Sequence, residues 1–251
     1  MVTSGTGFGI DVGGSGIKGA PVDLATGTLL TERLRVETPQ PATPSAVVEV
    51  VAQVLGDHTG GFGVTLPAVV VGGRALTAAN IDASWVDTDV ATLVRERTGR
   101  AALVVNDADA AGYAEVRFGA ARDVPGTVLV LTLGTGIGSA LFLDGRLVPN
   151  TEFGHLELDG HEVEKRASDA ARKTQDLSWD KWARRLSELL DHLDLLVRPD
   201  LVVLGGGVSK KSEQWLPLLQ TRLRVVPAAL LNDAGIVGAA LLAAEAAAQP
   251  A

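Results

Sequence analysis

A glycine-rich segment near the N-terminus places two side chains of opposite charge on either side of a turn. Asp11-Val-Gly-Gly-Ser-Gly-Ile-Lys18 has a carboxylate at the end of an apolar run, then a turn with few side chains, then a lysine. Glycines let backbone N–H groups point at an anion and let a phosphate approach closely. Lys18 can meet phosphate charge, and Asp11 can hold Mg²⁺ through a water molecule. A plain hairpin turn would have the same glycines, and the segment matches neither a Walker loop nor a dinucleotide-binding loop.

Two further glycine loops follow. Thr132-Leu-Gly-Thr-Gly-Ile-Gly138 is of the same type, and Gly205-Gly-Gly-Val-Ser209 comes after an apolar strand and opens a helix predicted over residues 208–220. The amides of such a loop can receive a phosphate or a nucleoside. One loop is weak evidence, whereas three in one chain predict a site for a phosphoryl donor. The predicted phosphate-binding and nucleotide-binding residues are Asp11, Gly13, Gly14, Ser15, Lys18, Thr132, Gly134, Thr135, Gly136, Gly205, Gly206 and Gly207.

The first two loops belong to an internal repeat. Residues 10–23 match the second loop region when they are displaced by 121 positions, which places Ala20 on Leu141. Strand-like and helical patterns then follow in a similar order after each hairpin. The repeat predicts an α/β protein of two similar lobes that face a cleft, residues 1–120 and residues 121–251.

Asn106 and Asp107 come directly after an apolar strand predicted over residues 102–105, at the start of a helix. Open α/β sheets place their ligands at the carboxyl ends of the strands. Two interpretations of Asp107 stay open. It is either a helix cap or a general base that accepts a hydroxyl proton as a phosphoryl group arrives. Asp109 is interpreted as an acid of the first helical turn.

A second polar group, Glu152-Phe-Gly-His155, follows the second hairpin. A carboxylate and an imidazole three residues apart can bind different oxygens of one hydroxylated ligand. A solvated polar loop is the alternative. A zinc site built from His155, His161 and the neighbouring acids is less favoured, because the chain has neither cysteine nor a HExxH helix.

The composition excludes several classes of protein. The 251 residues include 22 Lys and Arg against 30 Asp and Glu, a net charge of −8, whereas nucleic-acid binding usually takes a basic face. The absence of cysteine excludes disulfides, thiolate zinc sites and cysteine nucleophiles. No apolar run approaches the roughly 18 residues that span a bilayer, and the N-terminus lacks a signal-peptide pattern. We therefore expect a cytoplasmic protein with neither nucleic-acid nor membrane partners.

Residues 165–185 have the opposite charge balance, with seven basic residues against three acidic ones. A solvated helix face is one interpretation of this segment. The other is a basic track that guides a long phosphate chain. The residues assigned to that track are Lys165, Arg166, Lys173, Lys181, Lys210 and Lys211.

Together the three glycine loops, Asn106-Asp107 and Glu152-Phe-Gly-His155 resemble the ROK family of sugar kinases and repressors, over residues 8–242. The resemblance implies a two-lobed actin-like ATPase fold of the ribonuclease H-like type. More narrowly, the chain is similar to the actinobacterial polyphosphate glucokinases. The motifs that look typical of that subgroup are Thr38-Pro-Gln-Pro-Ala-Thr-Pro44, Pro149-Asn-Thr-Glu152 and Leu177-Ser-Trp-Asp-Lys-Trp-Ala183.

This resemblance implies an enzyme that transfers the terminal phosphoryl group of inorganic polyphosphate, ATP or both to O6 of glucose. It implies that Asp107 is the general base, that the two hairpin loops hold the phosphates and that the third loop holds the nucleoside side. It also implies Mg²⁺ as a cofactor and a homodimer. The residues that would hold other sugar hydroxyls are Asn106, Glu152, His155 and Glu164, with Asn80 as a weaker candidate.

Three alternatives stay open at this point. One is a kinase of glucose or mannose that uses ATP alone. Another is a sugar-responsive repressor, although its N-terminal helix-turn-helix does not fit before a hairpin that begins at Phe8. The third is a catalytically inactive actin-like binding or filament protein, against which Asp107 and both phosphate loops argue.

The chain also departs from the wider family in two places. It lacks the cysteine-rich zinc motif between His155 and Glu164, so we expect His155 to be free of metal. It has Ala68 after Pro67, where many relatives have glycine, which weakens the prediction for that sugar-side loop.

Overall fold

The computed structural model describes residues 5–78 and 81–248. The chain divides into two compact units. The first unit contains the residues up to Ala114 together with those from Asp233 onward, and the second contains Glu115–Asn232. The predicted division at residue 120 differs from this one, because the closing helix lies with the N-terminal sheet.

The first part of the chain builds a mixed sheet and its covering helices. The elements in chain order are β1 (Thr6–Val12), β2 (Ile17–Asp23), β3 (Thr28–Leu29), β4 (Leu34–Val36), α1 (Pro44–Leu55), β5 (Phe62–Leu66), β6 (Val70–Val71), β7 (Arg74–Ala75), β8 (Thr88–Asp89), α2 (Val90–Thr98), β9 (Ala102–Asn106) and α3 (Asp107–Phe118). The large sheet has the order β3-β2-β1-β5-β9, with β4 also paired to β2. β1 and β2 are antiparallel, whereas β1, β5 and β9 run parallel.

The rest of the chain contains a second mixed sheet. Its elements are β10 (Thr127–Leu133), β11 (Ile137–Leu143), β12 (Arg146–Val148), β13 (Glu157–Leu158), β14 (His161–Glu162), α4 (Glu164–Ala167), α5 (Asp169–Thr174), α6 (Trp179–Leu196), β15 (Leu201–Gly205), β16 (Val225–Pro227) and α7 (Ala234–Ala248). The sheet order is β12-β11-β10-β15-β16. Again the hairpin is antiparallel and the next two strands are parallel, so the topology confirms the predicted repeat.

The two hairpins of the repeat do not correspond at the single displacement of 121 residues that the sequence comparison assumed. β1 and β10 correspond at an offset of 121 residues, but β2 and β11 correspond at an offset of 120. The first hairpin has four residues between its strands and the second has three. Ala20 therefore corresponds to Ala140, and its predicted match with Leu141 is wrong.

Helix α7 packs directly on the first sheet through glycines. A Cβ at Gly9 would lie 1.9 Å from the carbonyl oxygen of Ile236, and one at Gly63 would lie 2.0 Å from that of Ala239. The stretch Leu231–Ala248 is long and apolar enough to cross a membrane by length and composition, contrary to the prediction that no run approaches that length. Its apolar residues from Ile236 to Leu241 are buried inside the first unit, which identifies it as a core helix.

Two predicted helices also differ from the structure. The segment 208–220, predicted as a helix kinked or split at Pro217, is indeed divided, but into two 3-10 segments, Gly207–Gln214 and Leu216–Leu218, the second of which contains Pro217. A proline cannot donate the backbone hydrogen bond that would continue a regular helix. The sequence pattern near residues 163–172 predicts a single helix, but the structure has α4 and α5 there. They are separated at Ser168, whose hydroxyl accepts a hydrogen bond from the Ala171 amide and caps α5.

Candidate active site

The first glycine turn, residues 13–16, joins β1 to β2. Its closing bond runs from the Gly13 amide to the Gly16 carbonyl (3.2 Å). Two side chains that follow along the chain bind the outward carbonyls: Thr38 Oγ1 donates to Gly13 O (2.5 Å), and an Arg35 Nη donates to Ser15 O (2.8 Å). The Gly14 and Ser15 amides donate to no described residue, so they are available to an anion.

Asp11 and Lys18 face each other at the base of this turn. They are paired residues of β1 and β2, and the Lys18 ammonium lies 3.4 Å from Asp11 Oδ2. Buried Thr65, on β5, donates to Asp11 Oδ1 at 3.0 Å. A Cβ at Gly235 would lie 2.9 Å from the same oxygen, so the first turn of α7 also adjoins Asp11. The carboxylate is therefore oriented while its side chain is still one-fifth exposed.

A single, partly exposed carboxylate fits a water-mediated Mg²⁺ whose other ligands come from a bound phosphate chain. Within residues 5–78 and 81–248, no three His, Asp or Glu side chains form a cluster that could hold a metal by themselves. Any cation at Asp11 must therefore draw most of its ligands from substrate and water.

Asn106 and Asp107 lie where β9 passes into α3, as predicted. Asn106 is buried, its Oδ1 accepts from the Asp109 amide (3.0 Å), and its Nδ2 donates to Ala68 O (3.0 Å). It therefore ties the loop at Pro67 and Ala68 to the start of α3. Asp107 is half-buried, and its Oδ1 accepts from the neighbouring Ala108 amide at 2.8 Å. Asn80, the weaker sugar-binding candidate, lies outside the described residues.

A cavity of about 260 Å³ adjoins the first glycine turn inside the first unit. Val12, Gly13 and Gly14 form one side of it. Residues 40–42 of the Thr38-to-Pro44 motif and buried Trp85 also line it. The motif that looked typical of the subgroup thus has a structural role, because Thr38 holds the turn and the residues after it form this cavity.

The second glycine turn, residues 134–136, joins β10 to β11 in the second unit. The Gly134 amide donates to the Gly136 carbonyl (3.0 Å), and Gly134 O accepts from the Ala170 amide of α5 (3.0 Å). Directly after the turn, the Ile137 amide donates to Glu164 Oε2 at 3.3 Å. The Thr135 and Gly136 amides have no acceptor among the described residues. Thr132 lies at the end of β10, paired with Gly138.

Glu152 and His155 belong to a loop that packs on β11, the strand that begins directly after this second turn. Buried Ser139 on β11 holds their loop, because its hydroxyl donates to Thr151 O (2.6 Å) and accepts from the Phe153 amide (2.9 Å). Gly154 packs so closely that a Cβ there would lie 2.0 Å from Ile137 O. The second unit thus brings Glu152, His155 and Glu164 together around one turn.

Carboxylates surround His155. Its ring nitrogens lie 3.7 Å from Glu152 and 3.7 Å from Glu162, and Glu162 forms an ion pair with Lys165. Burial raises the pKa of the Glu152 carboxyl, with a further rise from the charge of Glu164 and an opposing effect of His155. The hydrogen bond from Lys165 lowers the pKa of Glu162. Sequence reasoning missed Glu162, although it lies two residues before Glu164.

The third loop follows β15. Gly206 has a φ of 85°, and a Cβ there would lie 2.4 Å from Leu133 O, so glycine is required against the end of β10. Gly205 is buried, whereas a Cβ at Gly207 would meet nothing within 4 Å. Because a 3-10 segment follows, the helix-dipole argument for anion binding applies less strongly here than predicted.

The proposed basic track is partly neutralised by local acids. Lys165 pairs with Glu162, and Lys173 pairs with Asp169. Arg166 approaches Asp159 and Glu188. Lys181, Lys210 and Lys211 form no ion pair with any described residue. The track stays a prediction, with these three lysines as its unpaired charges.

Comparisons with known proteins identify the family and the fold of this chain. A model of the ROK family matches residues 7–165. A polyphosphate glucokinase of Mycobacterium tuberculosis is 51% identical over 238 residues, which cover 94% of this chain and 90% of the relative. The crystal structure of an inorganic polyphosphate/ATP-glucomannokinase from Arthrobacter sp. strain KM superposes with a TM-score of 0.94 at 50% identity, covering 97% of this chain and all of the other.

A more distant structure has the same fold. A ROK family glucokinase from Streptomyces griseus, in complex with glucose and AMPPNP, has a TM-score of 0.82 at 26% identity and covers 96% of this chain and all of its own. The predicted actin-like α/β fold class is therefore confirmed. From the family match over most of its length and its identity to these relatives, the chain belongs to the ROK family.

Proposed function

We propose that this chain is a glucokinase that transfers the terminal phosphoryl group of inorganic polyphosphate or ATP to O6 of glucose. The observation that carries the proposal is the 51% identity, over 94% of the chain, to a polyphosphate glucokinase. The likeness to a polyphosphate/ATP-glucomannokinase supports two donors and suggests mannose as a second acceptor. The two glycine turns with available amides give the chemistry a structural basis.

In the first unit, we assign Asp107 as the general base. It accepts the proton of the sugar hydroxyl while O6 forms a bond to the terminal phosphorus and the bridging bond to the next phosphate breaks. Lys18 and the amides of residues 14 and 15 stabilise charge on the transferred group. Asn106 positions Asp107, because its amide fixes both the start of α3 and the loop at Ala68.

In the second unit, we assign Glu152, His155 and Glu164 to sugar hydroxyls. Carboxylates accept hydrogen bonds from hydroxyls, and an imidazole can donate or accept. The bond from Ile137 to Glu164 holds one of these carboxylates against the second glycine turn, whose amides bind phosphate. We propose that Gly205, Gly206 and Gly207 contact the nucleoside of ATP when ATP is the donor.

Mg²⁺ is the cofactor that the proposal requires. Asp11 would hold it through water, and when bound it neutralises phosphate charge and polarises the transferred group. We also propose a cytoplasmic homodimer; light scattering and cell fractionation test these two points.

The first experiment measures glucose 6-phosphate formation with ATP and with long-chain polyphosphate separately, at saturating glucose. We expect product with both donors. Product with ATP alone would replace the proposal by a strictly ATP-dependent sugar kinase, and no product with either donor would contradict it.

The second experiment tests Asp107. Asp107→Asn keeps the shape of the side chain but removes the proton acceptor, so kcat should fall by about 10²–10⁴-fold with glucose affinity retained. Equilibrium glucose binding and single-turnover rates measure the two quantities. The matched control is Asp87→Asn, an exposed aspartate of a surface turn in the same unit, which should keep the wild-type rate. A near-wild-type kcat in Asp107→Asn would remove this residue from the role of base.

A further inference from the structure

Arg35 occupies a defined place beside the first glycine turn. β4 pairs with β2 so that Arg35 lies opposite Lys18. Its guanidinium donates to Ser15 O at 2.8 Å, and a Cβ at Gly16 would lie 2.7 Å from its Nε. The guanidinium therefore lies against Ser15 and Gly16 of the turn, whose Gly14 and Ser15 amides are available.

The charges nearby single out Arg35. Lys18 is paired with Asp11, and Arg33, the residue before β4, is paired with Asp233. The side chain of Arg35 is exposed, and it forms no ion pair with an acid of the described chain. A guanidinium has five N–H donors in a planar fork, and the contact with Ser15 uses one hydrogen-bonding direction. The rest are free to bind an anion.

We propose that Arg35 binds non-bridging oxygens of the donor's phosphate chain at the first glycine turn. This inference rests on the proposed function, and it adds a donor-binding residue that the sequence motifs did not indicate. Arginine suits this position because its fork matches phosphate geometry and its charge does not depend on pH near neutrality. Since both donors end in the same phosphate groups, Arg35 serves polyphosphate and ATP alike.

The test compares wild type with Arg35→Gln and Arg35→Lys. Arg35→Gln should raise the KM for polyphosphate and for ATP by about tenfold, the usual size of one charge-assisted hydrogen bond, with the glucose KM unchanged. Arg35→Lys keeps the charge and a hydrogen-bond donor for Ser15 O, so its KM for each phosphoryl donor should lie between the values of wild type and Arg35→Gln. Arg146→Gln removes an exposed arginine from β12, at the far end of the other hairpin, and should match wild type.

A binding measurement separates this inference from the proposed function. Calorimetric binding of inorganic tripolyphosphate should weaken in Arg35→Gln, and its salt dependence should become less steep because one cation is lost. If wild type forms no glucose 6-phosphate but Arg35→Gln still loses tripolyphosphate binding, only the proposed function fails. Donor KM and tripolyphosphate affinity within twofold of wild type in both variants would overturn the inference. A lower kcat or melting temperature with unchanged donor KM would also overturn it, as the mark of a purely structural arginine.

Discussion

The first and second glycine turns share a backbone plan but differ in the side chains around it. In each turn, the first glycine amide donates to the last glycine carbonyl, and the first glycine carbonyl accepts from a donor elsewhere in the chain. For the first turn that donor is the Thr38 hydroxyl, and for the second it is the Ala170 amide. In both turns the carbonyls of the first and last glycine are occupied, while amides in the turn stay available to an anion.

The matched positions show how the two turns diverged. Asp11 corresponds to Thr132, and Lys18 corresponds to Gly138. Thr65, the neighbour of Asp11 on β5, corresponds to Gly205, the neighbour of Thr132 on β15. The first turn is thus surrounded by side chains that carry charge or donate hydrogen bonds. The second is nearly bare backbone, with the carboxylate of Glu164 behind it.

The repeat thus keeps one backbone arrangement, and the different side chains around it support the proposal that the first turn serves the donor and the second also serves glucose. Cations around the first turn suit the negative charge of a donor, and the carboxylate of Asp11 suits an associated metal. Carboxylates around the second suit neutral hydroxyls, for which an anionic acceptor is favourable. We therefore expect substitutions at the first turn to change donor parameters and those at the second to change glucose parameters as well.

Among substitutions at the two turns, the largest effect should come from Lys18→Met, which removes a cation that has no counterpart at the second turn. A charge-assisted hydrogen bond contributes about 1.5–3 kcal/mol, so kcat/KM for each donor should fall by about 10- to 100-fold. Initial rates with varied donor and then with varied glucose measure the change. The glucose KM should stay within a factor of about two, and Arg146→Gln serves as the control for loss of one positive charge. A loss expressed mainly in glucose KM would contradict the division of work between the two turns.

A smaller effect should follow from removing the outside donor of each turn. Thr38→Val deletes the hydroxyl that binds Gly13 O, and Thr38→Ser retains it. Ala170→Pro deletes the amide that binds Gly134 O, at the second residue of α5, where proline is tolerated. The loss of one neutral hydrogen bond, about 1 kcal/mol, should lower donor kcat/KM about fivefold in each case.

The two variants should differ in their effect on glucose. Ala170→Pro should also raise the glucose KM, because the second turn continues into Ile137, which binds Glu164. Thr38→Val should leave it unchanged, and Thr38→Ser should resemble wild type. An equal change of the glucose KM in Thr38→Val and Ala170→Pro would contradict the division of donor and glucose binding between the two turns. Melting temperatures check that each variant is folded.

Much of this arrangement could be predicted from local sequence. Glycine spacing predicted both hairpins, and the polar pair after an apolar strand predicted the position of Asn106 and Asp107, because these signals lie within a few residues. The change of offset could not be predicted, since an ungapped match cannot reveal that one turn is a residue shorter. The packing of α7 on the N-terminal sheet also depends on contacts more than 200 residues apart, such as Gly9 with Ile236.

The contacts of Thr38 and Arg35 with the turn were missed for a related reason. They connect residues 20 to 25 positions apart through pairing of β4 with β2. β4 has only three residues, and four residues separate it from β3, so local sequence does not reveal the register that brings Arg35 to Ser15. Periodicity indicates that a strand exists, but its register is set by tertiary packing.

The smallest effect concerns the pH dependence of glucose binding by Glu152. Burial, reinforced by the nearby charge of Glu164, raises the pKa of this carboxyl, so it becomes protonated at a higher pH than an exposed glutamate does. Protonation removes an acceptor for sugar hydroxyls, and the glucose KM should therefore rise as the pH falls from neutrality toward that raised pKa. The glucose KM should rise by about twofold by the time the pH reaches that pKa, and by up to about tenfold for each further pH unit below it.

Glu152→Gln fixes the carboxyl in a neutral form. Its glucose KM should be raised at every pH and should lose the low-pH rise, whereas Glu157→Gln, at an exposed glutamate of β13, should keep the wild-type profile. Glucose KM is measured between pH 5.5 and 8 at saturating donor. An unchanged pH profile in Glu152→Gln would assign the dependence to another group. It would also contradict the assignment of glucose hydroxyls to the carboxylates around the second turn.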